Sequence, residues 1–426
     1  MPPAHPSRHA FALRLAALTA LALVGRVVFA LVAGYEAEGT LSDSLNYHLL
    51  GENLAEGRGY IRAFDWAISG VRVPTAEFPP VLPLVIAGLH LLGIDTVQGQ
   101  EVALAAVGAA TVALVGLLAR EIAGDRVGLV AAALAAAYPM LVLPDATLQA
   151  EGVYGLLVAA VLLLTVRWRA SRSPRDWLAV GGLVGLATLT RSEAFLLVPL
   201  VVAPLTLRRG MRDALRPVAL AGLGLLAVVA PWTVRNAVEL DHLIPLSNNR
   251  GTLLAGANCD RSWQGDRRGL WSFECTLDVP STGRDEVART GRYVDAGTTY
   301  VREHVGELPG VAAVRVLRTF GLWAPGQQLA EEAREGRSEA GLRAGYAAYL
   351  LLAAAAGVGS VVGLRRRLPV APLFGTIVHV VLTAAASYGN QRFRMAAEPS
   401  IVVLAALGLT TAWSHLTGRG RDGGRA

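Results

Sequence analysis

The sequence predicts an all-α polytopic membrane protein, with about ten transmembrane helices and further helices lying at one membrane surface. Three observations predict it. Of 426 residues, 53% are hydrophobic and only 17% are charged, where a soluble domain carries nearer a quarter charged. The charges are segregated, so long apolar runs alternate with short arginine-rich loops. All 39 basic residues are arginine, and most lie between the apolar runs.

About 20 apolar residues cross the hydrocarbon core. The runs that meet or approach this length are 11–34, 99–119, 127–144, 152–167, 177–190, 193–207, 216–232, 341–363, 369–387 and 396–415. The first has no small-residue cleavage site near its end, so it reads as a span and not as a signal peptide. Arg8, His9 and Arg14 precede or open it. Arg120 and Arg126 follow the second run, and Arg167, Arg169, Arg172 and Arg175 the fourth. Arg208, Arg209, Arg212 and Arg216 follow the sixth, Arg365, Arg366 and Arg367 the eighth, and Arg419, Arg421 and Arg425 the last. With the N-terminus inside, every cluster falls on the cytoplasmic side. The proline-stiffened run 79–93 is too short to span and reads as a helix lying on the outer surface.

This topology predicts a seven-span core over 1–235 with an outer loop at 35–98, an extracytoplasmic cap over 236–337 with a helical stretch at 285–305, and three C-terminal spans over 338–426 ending in a short cytoplasmic tail. Cys259 and Cys275 both fall in the cap. There they could pair as a disulfide or remain two thiols. The net charge of +6 is loop arginine and not a basic face with polar or aromatic readers, so nucleic acid is not an expected partner.

Several outer residues are placed for chemistry. Ser42 before Asp43 reads as a helix N-cap, which puts Asp43 and Tyr47 one turn apart on one face. There Asp43 could serve as a general base. Glu77 precedes Phe78-Pro79-Pro80, whose prolines fix where its carboxylate points. Asp145 and Glu151 flank the next outer turn, and Glu151 borders a span, where an unpaired carboxylate is costly. Arg191, Arg235, Arg392 and Arg394 break the inside rule for arginine. At that face they should pair with acids or hold a phosphate.

In this ordered set the chain resembles the C-type glycosyltransferases that use a polyprenyl-phosphate sugar, among them the protein O-mannosyltransferases and the lipid A aminoarabinose transferases. The matching stretches are Asp43 and Tyr47 with Gly57, Gly59 and Tyr60; Glu77-Phe78-Pro79-Pro80; Glu151; Leu189-Thr190-Arg191; Pro231-Trp232-Thr233-Val234-Arg235-Asn236; and Arg392-Phe393-Arg394 through Glu398-Pro399. The resemblance implies that Asp43 is the base of an inverting transfer. It also implies that Arg191, Arg235, Arg392 and Arg394 are phosphate ligands, and that Tyr47, Glu77 and Glu151 are further substrate-site groups. A divalent cation is admitted, with Asp43, Glu77 and Asp145 as ligand candidates. Departures from the family pattern are Ser44 in place of a second acid, Phe78 in place of a lysine and Ser192 in place of a proline.

The expected function is therefore transfer of a hexosyl or pentosyl group from a polyprenyl-phosphate donor to a glycan, glycolipid or protein acceptor, at the extracytoplasmic face of a bacterial plasma membrane. The competing readings are a transporter or lipid-linked sugar flippase, and a non-catalytic scaffold that presents the cap. Transporters gather ionisable residues near the midplane, often with inverted repeats; the spans here hold few central charges and no repeat.

Overall fold

The computed structural model describes residues 8–33, 42–207, 211–280, 285–334 and 336–417. Arg208, Arg209, Arg419, Arg421 and Arg425 lie outside the described residues, as do 34–41 at the start of the loop that follows the first helix. Helix α1 (Arg8–Ala33) leads to that loop, which carries α2 (Asp43–Ala55), α3 (Ala63–Ser69) and α4 (Val81–Leu91). Then come α5 (Val97–Ala123), α6 (Asp125–Ala137), α7 (Ala150–Arg167), α8 (Pro174–Thr188), α9 (Ala203–Leu207) and α10 (Met211–Leu240). The cap holds α11 (Arg250–Ala257), α12 (Asp260–Trp263), α13 (Glu274–Leu277), α14 (Glu286–Glu303), α15 (Leu308–Thr319) and α16 (Pro325–Arg334). The chain closes with α17 (Glu339–Arg365), α18 (Ala371–Ala386) and α19 (Glu398–Leu416).

Among the described residues, six helices are long and apolar enough to cross a membrane: α1, α5, α7, α10, α17 and α19. The other four expected spans are helical but shorter. Pro139 and Pro144 break the run 127–144 into α6 and two 3-10 turns. Pro199 and Pro204 fall in 193–207, which becomes a 3-10 turn, a π turn and the short α9, because proline removes a backbone donor and crowds the preceding turn. Helices α8 and α18 have 15 and 16 residues. By length and composition alone, six helices meet the spanning criterion among the described residues.

The bundle is built from the centre outward. Helices α5, α7 and α19 bury most of their side chains, whereas α1, α10 and α17 leave most of theirs on the outer surface. Leu21, Val24, Leu223, Leu226, Leu351 and Val358 are among the exposed apolar groups there, a band that needs a non-aqueous solvent. Close helix approach rests on glycine. A side chain at Gly359 of α17 would collide with the Leu404 carbonyl of α19, and one at Gly408 with the Ala355 carbonyl. Gly181 and Gly224 make the same approach between α8 and α10. Small residues let backbones meet where lipid leaves no hydrophobic gain from association.

The two ends of the bundle differ. At one end Arg120 pairs with Asp125 (2.7 Å), Arg167 with Glu121 (2.9 Å), and Arg126 donates to Ser414 (3.3 Å). At the opposite ends of α7 and α19 stand Glu151 and Glu398. The cap sits at this second end. Cys259 and Cys275 are disulfide-bonded within it. Arg315 of α15 donates to the Ala385 carbonyl at the end of α18 (3.3 Å), and Gly389 N–H donates to the Gly269 carbonyl (2.7 Å).

Candidate active site

A cavity of about 560 Å³ opens at the end of the bundle that bears the cap. Its walls come from all parts of the chain: Asp43 and Tyr47 of α2, Thr190 to Glu193, Ser247 to Arg250 of the cap, and Tyr388, Arg392 and Phe393 after α18. Leu196, Leu246, Leu253 and Leu382 give it an apolar side.

Asp43 is the first residue of α2. The Ser42 hydroxyl accepts the Leu45 N–H at 3.3 Å, the N-cap that the sequence predicts. Its neighbour Ser44 is buried and donates to the Thr147 carbonyl, which fixes the start of α2 on the bundle. Tyr47 lies a turn further on, buried edge-on against Phe78 with ring centroids 5.0 Å apart. Burial pushes its hydroxyl well above the usual range, and Asp43 and Glu151 add to this. It therefore stays a proton donor.

Glu151 organises the charges. It is 1% exposed, and its Oε1 accepts from Arg191 Nη1 (2.7 Å) and Arg392 Nε (2.6 Å). Arg392 reaches on to Asp43 Oδ2, at 3.3 and 3.4 Å from Nη1 and Nη2. Arg191 Nε donates to Glu193 Oε1 (2.7 Å), and its guanidinium lies 5.2 Å from the Phe393 ring centroid. One buried carboxylate thus holds two arginines at the cavity wall, and one of them holds Asp43. Asn390 caps the turn that delivers Arg392, its side chain accepting the Arg392 N–H at 2.7 Å.

Four predicted site residues lie elsewhere. Arg235 is absent from the cavity wall; it donates to the Tyr60 carbonyl (2.7 Å) and the Thr75 carbonyl, clamping the loop that carries α2 to α4. Arg394 is buried against Glu398 (2.6 Å) and stacks 3.6 Å from the Tyr349 ring centroid. Asp145 is buried and paired with Arg26 of α1 at 2.8 Å. Glu77 is half-buried behind Phe78 and Pro79 and does not line the cavity. Burial raises its pKa, and the nearby Glu286 carboxylate adds to the rise. Glu286 accepts from Thr75 Oγ1 (2.6 Å) and Ala76 N–H (3.1 Å), tying this loop to the cap.

The three acids named as cation ligands therefore do not converge, and among the described residues no group of three or more His, Cys, Asp or Glu could hold a metal ion. Sequence reasoning missed Glu193 and Arg250 at the cavity, and Arg26 as the partner of Asp145. An arginine inside an apolar run was the available signal for Arg26. The other two meet the site only through the fold.

Residues 77–234 match the family model of dolichyl-phosphate-mannose-protein mannosyltransferases, well under half of the chain. Among solved structures, the oligosaccharyltransferase AglB of Archaeoglobus fulgidus, in complex with an inhibitory peptide and a dolichol-phosphate, aligns at TM-score 0.56 and 15% identity. That alignment covers 98% of this chain and 52% of that one. The chain has the C-type glycosyltransferase fold. An Archaeoglobus fulgidus oligosaccharyltransferase tethered to an acceptor peptide with the NVT sequon aligns at TM-score 0.56 and 13% identity, over 97% of this chain and 51% of that one. ArnT of Cupriavidus metallidurans, bound to undecaprenyl phosphate, aligns at TM-score 0.45 and 15% identity, over 94% and 79%. The chain spans about half the length of the archaeal enzyme it matches. No curated protein sequence matches it. With six candidate spans and this fold, it is an integral membrane protein.

Proposed function

We propose that the chain is an inverting glycosyltransferase that moves a hexosyl or pentosyl group from a polyprenyl-phosphate donor to a hydroxyl of a glycan, glycolipid or protein acceptor. The observation that carries the reading is the cavity where a carboxylate, Asp43, pairs with one of two arginines held by one buried glutamate. A lipid-linked phospho-sugar keeps its tail in the bilayer, and the apolar side of the cavity, at Leu196 and Leu382, suits that entry. Asp43 takes the acceptor proton as the new bond to sugar C1 forms. The bond from C1 to the phosphate oxygen breaks, and polyprenyl phosphate leaves. Arg191 and Arg392, already aimed by Glu151, offset the charge that grows on the departing phosphate without reorganising. Holding both substrates in one cavity supplies a further share of the rate.

In this reading the cavity is extracytoplasmic and both termini are cytoplasmic. The gathering of Arg120, Arg126 and Arg167 at the other end of the bundle supports that orientation. The units are the core 1–235, the cap 236–337 and the C-terminal helices 338–426, in a bacterial plasma membrane. The test is transfer of radiolabelled sugar by the purified chain from a panel of polyprenyl-phosphate donors. Label reaching an acceptor or water, with the anomeric configuration inverted, supports the reading. A folded protein that releases no label from any donor, yet moves a lipid-linked sugar between leaflets of a vesicle, replaces it with transport.

A further inference from the structure

The charges in the cavity do not leave room for a phosphate on the core side alone. Arg191 and Arg392 face three carboxylates, Asp43, Glu151 and Glu193, and each arginine is engaged with two of them. An anion arriving there meets guanidinium groups whose charge is already matched. The part of the lining that the cap contributes differs. Arg250, the first residue of α11 in the cap, lines the cavity and is exposed to it. Among the described residues it forms no ion pair and donates no side-chain hydrogen bond. Ser247 and Asn249 stand beside it on the same wall. Its helix is fixed in place: Gly251 packs against Thr290 of α14 too closely for a side chain, and the Asn248 carbonyl accepts the Thr290 hydroxyl at 3.2 Å.

We propose that Arg250 is the cation that receives the donor's phosphate, so that the phosphate is gripped between cap and core. The inference rests on the glycosyltransferase reading and deepens it, since it assigns the phosphate-selecting group to the cap. Arg250 then sets donor affinity: it meets a phosphate whether or not the sugar is attached. Arg191 and Arg392 act mainly on the extra charge that appears at departure.

The test is direct binding to the full chain in detergent, wild type and Arg250→Ala side by side, of three probes: undecaprenyl phosphate, the uncharged polyprenol, and inorganic phosphate. Because Arg250 is exposed, its removal leaves the folded state intact, checked by an unchanged melting temperature. A charge-assisted pair of this kind predicts that Arg250→Ala binds undecaprenyl phosphate at least about tenfold more weakly, with a shallower salt dependence. Arg250→Lys should recover part of that loss, and polyprenol binding should not change. Weak inorganic phosphate binding that is also lost in Arg250→Ala would place the recognition in the phosphate and not in the lipid tail. Equal undecaprenyl phosphate binding by wild type and Arg250→Ala overturns the inference while leaving the glycosyltransferase reading in place. Absence of binding by the folded wild type overturns both.

Discussion

At the scale of single residues, Glu151 is the group on which the site depends. Replacing it by Gln leaves Arg191 and Arg392 without the buried carboxylate they share, and breaking a buried pair costs roughly 3–5 kcal/mol. Glu151→Gln should therefore lower the melting temperature of the purified chain and abolish transfer as well; an unchanged melting temperature would show that the pair does not hold the wall together. Glu77 gives a pH signature. Its folded pKa lies above the ordinary carboxylate value because of burial and then Glu286. The folded state thus binds this proton more tightly than the unfolded chain. The resulting stability is fully present below the unfolded value of roughly 4.3 and is lost as pH rises through the folded one. Glu77→Gln should melt higher than wild type at neutral pH, with the gap closing in acid. A gap of the same size at both pH values would contradict this.

At this scale the sequence was partly legible. Ser42, Asp43 and Tyr47 could be read because a cap and a one-turn spacing are local. Arg191 and Arg392 could be read because they stand apart from the arginine clusters and so run against the charge rule. The pairing of Arg26 with Asp145 spans 119 positions, and no local pattern encodes it. Arg235 and Arg394 carry the same outward signal as Arg191 and Arg392, yet the fold turns them toward carbonyls and a buried glutamate.

At the scale of elements, helix contacts depend on glycines that permit backbone contact. Gly359 faces the Leu404 carbonyl, whereas Gly357, two residues away, has open space where a side chain would go. Gly359→Ala should destabilise the chain by about 1–3 kcal/mol through overpacking. Gly357→Ala should be neutral or stabilise it by about 0.5–1 kcal/mol through helix propensity. Paired thermal melts of the two variants separate the effects, and equal melts would remove close packing as the bond between α17 and α19. The apolar runs placed both of these helices. Prolines at 139, 144, 199 and 204 shortened runs that composition alone counts as spans.

At the scale of the molecule, the fold gathers residues from opposite ends of the chain into one cavity. Asp43 and Arg392 lie 349 positions apart, and the cap closes over them through Glu286, Arg315 and the Gly269–Gly389 hydrogen bond. The two-ended character of the bundle was already visible in the segregated arginines. The identity of the cavity wall was not readable there, because it depends on where a cap of irregular loops and short helices docks.

The measurement that tests the central claim most directly is transfer of labelled sugar from a polyprenyl-phosphate donor by the reconstituted wild-type chain and its Asp43→Asn variant in parallel. The amide keeps the shape of the side chain and loses the base, which predicts a fall in turnover of roughly 10²–10⁴-fold, with donor binding and melting temperature unchanged. Full turnover by Asp43→Asn would contradict the account.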